Sequence, residues 1–294
     1  HRPAIAVPVA DVRARATVQS VKAGSHFRII APDLDQDYRL DQAAADDPLA
    51  MITRITLQYL GQTGPPAVTL TVSSTIPLGR GLGSGAAIST AIVRALSQFF
   101  DCLLPPAEIS ARVYKVEKLY HGTPSGIDNT VVAFAQPVVF VKGRPIQRMP
   151  VGQMFSLVVG DTGLVAPTHQ AVGDLRQRWQ ADQPRYEGDF DEIGAIATQA
   201  RVAIEQELVD IGVIGKLMDQ NQELLETIGV SSPELERLIT AARQAGALGA
   251  KLSGAGRGGN MIALVRPETV SGVTRALTEA GAAGVISTEV RRTA

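Results

Sequence analysis

The alternation of apolar and polar positions changes character about halfway along the chain. The opening residues give short apolar and β-branched runs, AIAVPVADVRARATV and HFRIIA, separated by Gly24-Ser25, and these read as strands. A polar stretch at 33–47 carries Asp33, Asp35, Asp37, Asp41, Asp46 and Asp47 and reads as a loop. Pro48 suits the first position of a helix through Ile52, Ile55, Leu57, Tyr59 and Leu60, which Gly64-Pro65-Pro66 closes. VTLTVSSTI (68–76) predicts a strand, and 86–100 predicts a helix with Ile88, Ala91, Ile92, Ala95, Leu96 and Phe99 on one stripe. A further helix is expected over 107–120, and TVVAFAQPVVFV (130–141) reads as one or two strands broken at Pro137.

From residue 155 the helical period dominates. A strand over 155–163 precedes amphipathic helices at 168–181, 190–207, 211–228 and 233–245, the last opened by Ser232-Pro233-Glu234-Leu235. Then come a strand at 250–253, a glycine cluster, a strand at 260–265, a helix at 269–280 and a strand at 285–290. The expectation is an α+β chain of two domains, 1–152 and 153–294.

Composition narrows the function classes. The 294 residues hold 28 basic and 29 acidic side chains with no polybasic block, which argues against electrostatic binding to nucleic acid or to an anionic membrane. Cys102 is the single cysteine, so no disulfide framework exists, and an inert, buried thiol is expected. With no apolar run of membrane-span length and no visible signal peptide, a cytoplasmic location is expected.

Three clusters carry candidate chemistry. PLGRGLGSGAA (77–87) lies between a strand and a helix start, where exposed backbone N–H groups and the helix's partial positive end suit a phosphate. It fits neither the Walker pattern nor the dinucleotide fingerprint, and a glycine turn that lets a helix pack closely on a sheet is the bland alternative. The second cluster is Glu117 followed by HGTPSGIDN (121–129). A carboxylate near a helix C-terminus is disfavoured by the dipole unless something such as magnesium offsets it, and Asp128 is expected in a compact glycine turn. The third, GAKLSGAGRGG (249–259), is a second glycine loop between strands. His26, His169 and Trp179 have no partner cluster and read as surface or packing residues.

In this order and spacing the clusters resemble the GHMP small-molecule kinases, over most of residues 1–290. PLGRGLGSGAA is similar to the family's ATP-phosphate loop and GAKLSGAGRGG to its C-terminal glycine motif. HGTPSGIDN with Glu117, and DTGLVAPTHQAV (161–172), resemble the mevalonate-kinase branch. The resemblance implies a two-domain α+β fold, ribosomal-protein-S5-like then ferredoxin-like, with ATP bound between the domains. It also implies ATP contacts from Pro77, Gly79, Gly81, Leu82, Gly83, Ser84, Gly85 and Ala86, and from Gly254, Ala255 and Gly256. Glu117 and Ser84 would hold Mg2+, and Asp128 would face the acceptor hydroxyl. His121, Thr123, Ser125 and Thr168 would contact mevalonate. Other acceptors within the family (phosphomevalonate, homoserine or a sugar), a decarboxylating relative and a non-catalytic ligand-binding descendant are the alternatives. Dimers are common in the family, which leaves a homodimer open; nucleic acid and membrane are not expected partners.

Two departures stand out. The family's loop usually has two adjacent serines, whereas Gly85 follows Ser84 here. The family also carries an N-terminal strand and loop, with a lysine near the catalytic aspartate and a Glu-His pair near the substrate. His1 and Arg2 align just after that loop, so the expectation is an enzyme whose first strand is absent from the sequence.

Overall fold

The computed structural model describes residues 1–77, 81–121, 124–164 and 168–293, with the backbone alone at Tyr120, His121, Thr168 and His169. The chain opens with β1 (Ala4–Ala6), β2 (Ala14–Ser20), β3 (Arg28–Ala31), β4 (Gln36–Arg39), α1 (Pro48–Tyr59) and β5 (Val68–Ser74). Next come α2 (Ser84–Phe99), α3 (Pro106–His121), α4 (Ile127–Phe134), β6 (Val138–Phe140), β7 (Gln147–Arg148) and β8 (Phe155–Asp161). The remainder is α5 (Thr168–Ala181), α6 (Gln183–Glu205), α7 (Ile211–Thr227), α8 (Pro233–Gln244), β9 (Gly249–Ser253), β10 (Asn260–Val265), α9 (Val270–Glu279) and β11 (Gly284–Val290).

Packing divides these elements into two units. The first runs from Val12 through β5 and from Leu82 to Ala135. Its sheet has the order β2-β5-β3-β4, with β3 parallel to β5 and the other pairs antiparallel. Val68, Leu70 and Val72 of β5 alternate into the core, as the two-residue period of a strand requires, and meet Ile52 of α1 and Ile88, Ile92 and Leu96 of α2. Asp47 caps α1, its Oδ1 accepting from Ala50 N–H at 2.7 Å.

Two expectations fail here for identifiable reasons. The acidic stretch 33–47 contains strand β4 at the sheet edge, where Asp37 pairs with Arg28 across the β3–β4 ladder. The run from Thr130 is helical through Phe134, so only Val138–Phe140 is strand. Val131 and Ala133 are buried in helical packing, which outweighs the strand preference of the β-branched residues.

The second unit holds the first eleven residues, Gly81 and the chain from Gln136 onward. This grouping differs from a single cut after residue 152. β1 pairs with β6 and β6 with β7, and Val139, Met149 and Val151 share a core with Phe155 and Leu157 of β8. The main sheet is antiparallel throughout with the order β11-β8-β10-β9, the ferredoxin-like arrangement expected. Leu235, Leu238 and Ile239 of α8 and Val273 and Leu277 of α9 bury against it. The open edge at β9 is closed by α7: Asp219 Oδ1 accepts from Ala250 N–H (2.9 Å) and Gln222 Oε1 from Leu252 N–H (2.8 Å). Helix α6 starts at Gln183 rather than near 190 because Asp182 caps it, accepting from Arg185 N–H. Cys102 is exposed rather than buried, beyond the end of α2. Among the described residues no helix is long and apolar enough to cross a membrane.

Candidate active site

The first unit brings the start of α2 and both candidate carboxylates together. Helix α2 starts at Ser84, and its cap is Gly83, in the left-handed region at φ 66°. A glycine cap offers no side-chain acceptor, so the first-turn N–H groups of α2 point out of the helix without a capping oxygen from that residue. Ala86 and Ala87 are buried, Ala86 within the core of this unit. The partial positive charge of this helix end suits an anion.

Glu117 reaches the same place from α3. Ile109, Val113 and Val116 set that helix against the core, and Glu117, one residue beyond Val116, is partly exposed. A β-carbon built on Gly85 would lie 3.3 Å from Glu117 Oε1. Asp128 arrives from α4. A β-carbon on Gly83 would lie 3.4 Å from its Cβ and 3.9 Å from its Oδ2. Asp128 stands in the first turn of a helix rather than in the compact glycine turn expected, and that helix end favours its negative charge. Gly126 caps α4 at φ 91°, and Thr130 Oγ1 donates back to the Gly126 carbonyl at 2.6 Å.

The remaining candidates are placed as follows. Pro77 and Leu82 are partly buried beside the loop, and Gly81 at φ 76° would set a β-carbon 3.7 Å from Asn260 Nδ2. Ser125 is exposed, and its Oγ accepts from Ile127 N–H at 3.3 Å, so it helps to start α4. Gly79 and Thr123 lie outside the described residues, as do the side chains of His121 and Thr168.

The C-terminal glycine loop belongs to the second unit. Its backbone is tied to two neighbouring turns: Arg257 N–H donates to Val230 O (2.8 Å), Gly259 N–H to Leu164 O (2.9 Å) and Thr162 N–H to Gly259 O (2.9 Å). Gly256 is packed so tightly that a β-carbon would fall 1.9 Å from Val230 O, whereas Gly254 has nothing within 4 Å. Arg257, at φ 59°, pairs with Asp174 of α5. Neither Arg257 nor Asp174 was legible as a pair, because 83 residues separate them.

The donor set suits a hard cation. Glu117 Oε1, which reaches Gly85 from α3, and the hydroxyl of the neighbouring Ser84 are oxygen donors, the type magnesium selects. Among the described residues no group of three or more His, Cys, Asp or Glu side chains converges into an all-protein metal cage. An ion here would complete its shell with phosphate and water oxygens.

Residues 50–136 match the family description "GHMP kinases N terminal domain" and residues 200–283 match "GHMP kinases C terminal". The chain is 37% identical over 223 residues to a mevalonate kinase of Thermococcus sibiricus, covering 75% of this chain and 66% of that protein. It is 39% identical over 223 residues to that of Thermococcus onnurineus, with the same coverage. The chain thus spans just under two thirds of the length of these curated relatives. The crystal structure of L. major mevalonate kinase in complex with R-mevalonate superposes with a TM-score of 0.85 at 26% identity, covering 100% of this chain and 90% of that one.

Proposed function

The chain belongs to the GHMP kinase family, and from that premise we propose that it transfers the γ-phosphoryl group of ATP to the primary hydroxyl of mevalonate. The observation that carries the proposal is the placement of two carboxylates, Glu117 and Asp128, against two glycines of one loop at the start of α2. The names of the relatives supply the acceptor.

In this reading the N–H groups from Leu82 to Ala86, at the start of α2, hold the β- and γ-phosphates. Glu117 and Ser84 would hold Mg2+, which when bound neutralises charge on the phosphate oxygens. The mevalonate oxygen forms a bond to the γ-phosphorus as the bond from that phosphorus to the ADP oxygen breaks. The hydroxyl proton passes to the Asp128 carboxylate. A carboxylate is a weak base for an alcohol, so the proton moves late, after the phosphorus–oxygen bond has largely formed. Most of the protein's work is positioning and charge stabilisation.

A coupled ADP-release assay with mevalonate, phosphomevalonate and homoserine tests the acceptor. Mevalonate is expected to give the highest kcat/KM, and a higher value with another acceptor would refute the assignment. In the same assay Asp128→Asn is expected to lower kcat by at least ~10²-fold while nucleotide binding is kept. Undiminished turnover by that variant would remove Asp128 from its role.

A further inference from the structure

Asn129 follows Asp128 in the chain but points elsewhere. It is 5% exposed, and its side-chain amide donates to the Ser110 carbonyl (3.2 Å) and to Ser110 Oγ (2.8 Å) on α3. Because a carbonyl only accepts, this partner fixes which end of the amide faces α3. Successive helical residues are turned by about 100°, so α4 presents Asp128 to Gly83 and Asn129 to α3. On α3, Ser110 and Glu117 are seven residues apart, about 20° from two full turns, and share a face. One buried amide thus joins the helix of one candidate carboxylate to the helix of the other.

That joint matters because α4 is only eight residues long and holds little structure by itself. Its apolar contacts resist separation from α3 but resist sliding poorly, whereas directional hydrogen bonds set a register. The far end of α4 is secured to the helix that begins with the loop: Arg94 Nη2 of α2 donates to Ala133 O at 2.8 Å.

We infer that Asn129 is a positioning residue, whose two bonds to Ser110 lock α4 onto α3 and so keep Asp128 and Glu117 in place against the loop. The inference rests on the phosphoryl-transfer reading of those carboxylates. A shift of about 1 Å at a reacting group costs on the order of 10²-fold in rate.

Two variants of the full chain test it. Asn129→Leu keeps the side-chain volume and removes both donors, and Ser110→Ala removes the hydroxyl while leaving the carbonyl. Each is measured for kcat, for KM of ATP and of mevalonate, for Tm, and for hydrogen exchange of the amides of residues 127–134. Asn129→Leu is expected to lower kcat about 30- to 100-fold with the KM for ATP changed less than about threefold, the signature of a loss felt in the transition state. Exchange in α4 should quicken about tenfold or more. Ser110→Ala should show the same pattern with kcat lowered about 3- to 10-fold, since one bond remains. A folded Asn129→Leu protein with kcat within about twofold of the parent, or with unchanged exchange in α4, overturns the inference. If Asn129→Leu does not fold, Ser110→Ala decides between the same outcomes. If the parent shows no acceptor-dependent ADP release, the kinase reading falls, and the exchange rates alone decide whether Asn129 holds α4.

Discussion

Gly85 stands where the resembled family usually has a second serine, and the structure gives that departure a physical meaning. A β-carbon there would lie 3.3 Å from Glu117 Oε1, closer than most real contacts, so the glycine leaves the carboxylate room against the helix start. Glu117 is partly exposed and ends a flexible side chain, so it can yield by a few tenths of an ångström. Gly85→Ala should therefore stabilise α2 by roughly 0.5–1 kcal/mol through helix propensity. The same change should raise the Mg2+ concentration needed for half-maximal activity, because the displaced carboxylate no longer holds its place. Tm and a magnesium titration check the two halves, and a variant that loses stability and keeps its magnesium response would show that Glu117 does not depend on the glycine. Gly85→Ser should fall below the alanine variant in magnesium requirement, since its hydroxyl adds a ligand. The glycine itself was plain in the sequence. What it faces was not, because Glu117 lies 32 positions away and reaches it through helix packing.

At the scale of elements, strands and helices with one buried face were legible, and the exceptions share a cause. β5 alternates, α2 and α8 repeat every three or four residues, and both patterns survive into the structure. The strand expected from residue 130 is the second half of α4, because Thr130–Phe134 is a short, largely apolar run with no period that separates the two states. Asn129 falls in the expected glycine turn, and its direction follows only from the phase of the helix that starts at Ile127. The C-terminal glycine loop offers a sharper test of how structure assigns glycines. Gly256→Ala would drive a methyl into the Val230 carbonyl at a positive φ of 78°, and should destabilise the second unit by more than ~2 kcal/mol. Gly254→Ala meets open space and should cost only about 1–2 kcal/mol for its left-handed backbone. Denaturant midpoints of the two variants measure the difference. Gly254→Ala should nevertheless weaken ATP binding, since an open glycine in such a loop suits close approach by a ligand.

At the scale of the whole molecule, stability and charge meet at Lys251. It lies on β9 beside the glycine loop, its Nζ donates to Leu252 O at 2.5 Å, and burial pulls its ammonium down to about 8. Between about pH 8 and its ordinary 10.5 the unfolded chain keeps a proton that the folded chain has released, so this group makes stability rise with pH across that window. Below it the folded state carries the full penalty of a desolvated charge. Lys251→Met should therefore raise stability at pH 7 by roughly 1–2 kcal/mol, as part of the residue stays in water, and should flatten the rise between pH 8 and 10.5. Thermal unfolding at pH 7 and pH 10 measures this, and an unchanged pH profile would show that Lys251 is not the group responsible. The sequence by itself determined the α+β class, most of the elements and the family resemblance, and it singled out the loop, Glu117 and Asp128 as candidates. These depend on local pattern and residue type, which a linear text carries. Only the tertiary structure decided which residues meet: Gly83 with Asp128, Gly85 with Glu117, Asn129 with Ser110, and α7 with the edge of β9. Each of these contacts joins distant segments, and long-range packing chooses such partners by shape and hydrogen bonding rather than by spacing along the chain.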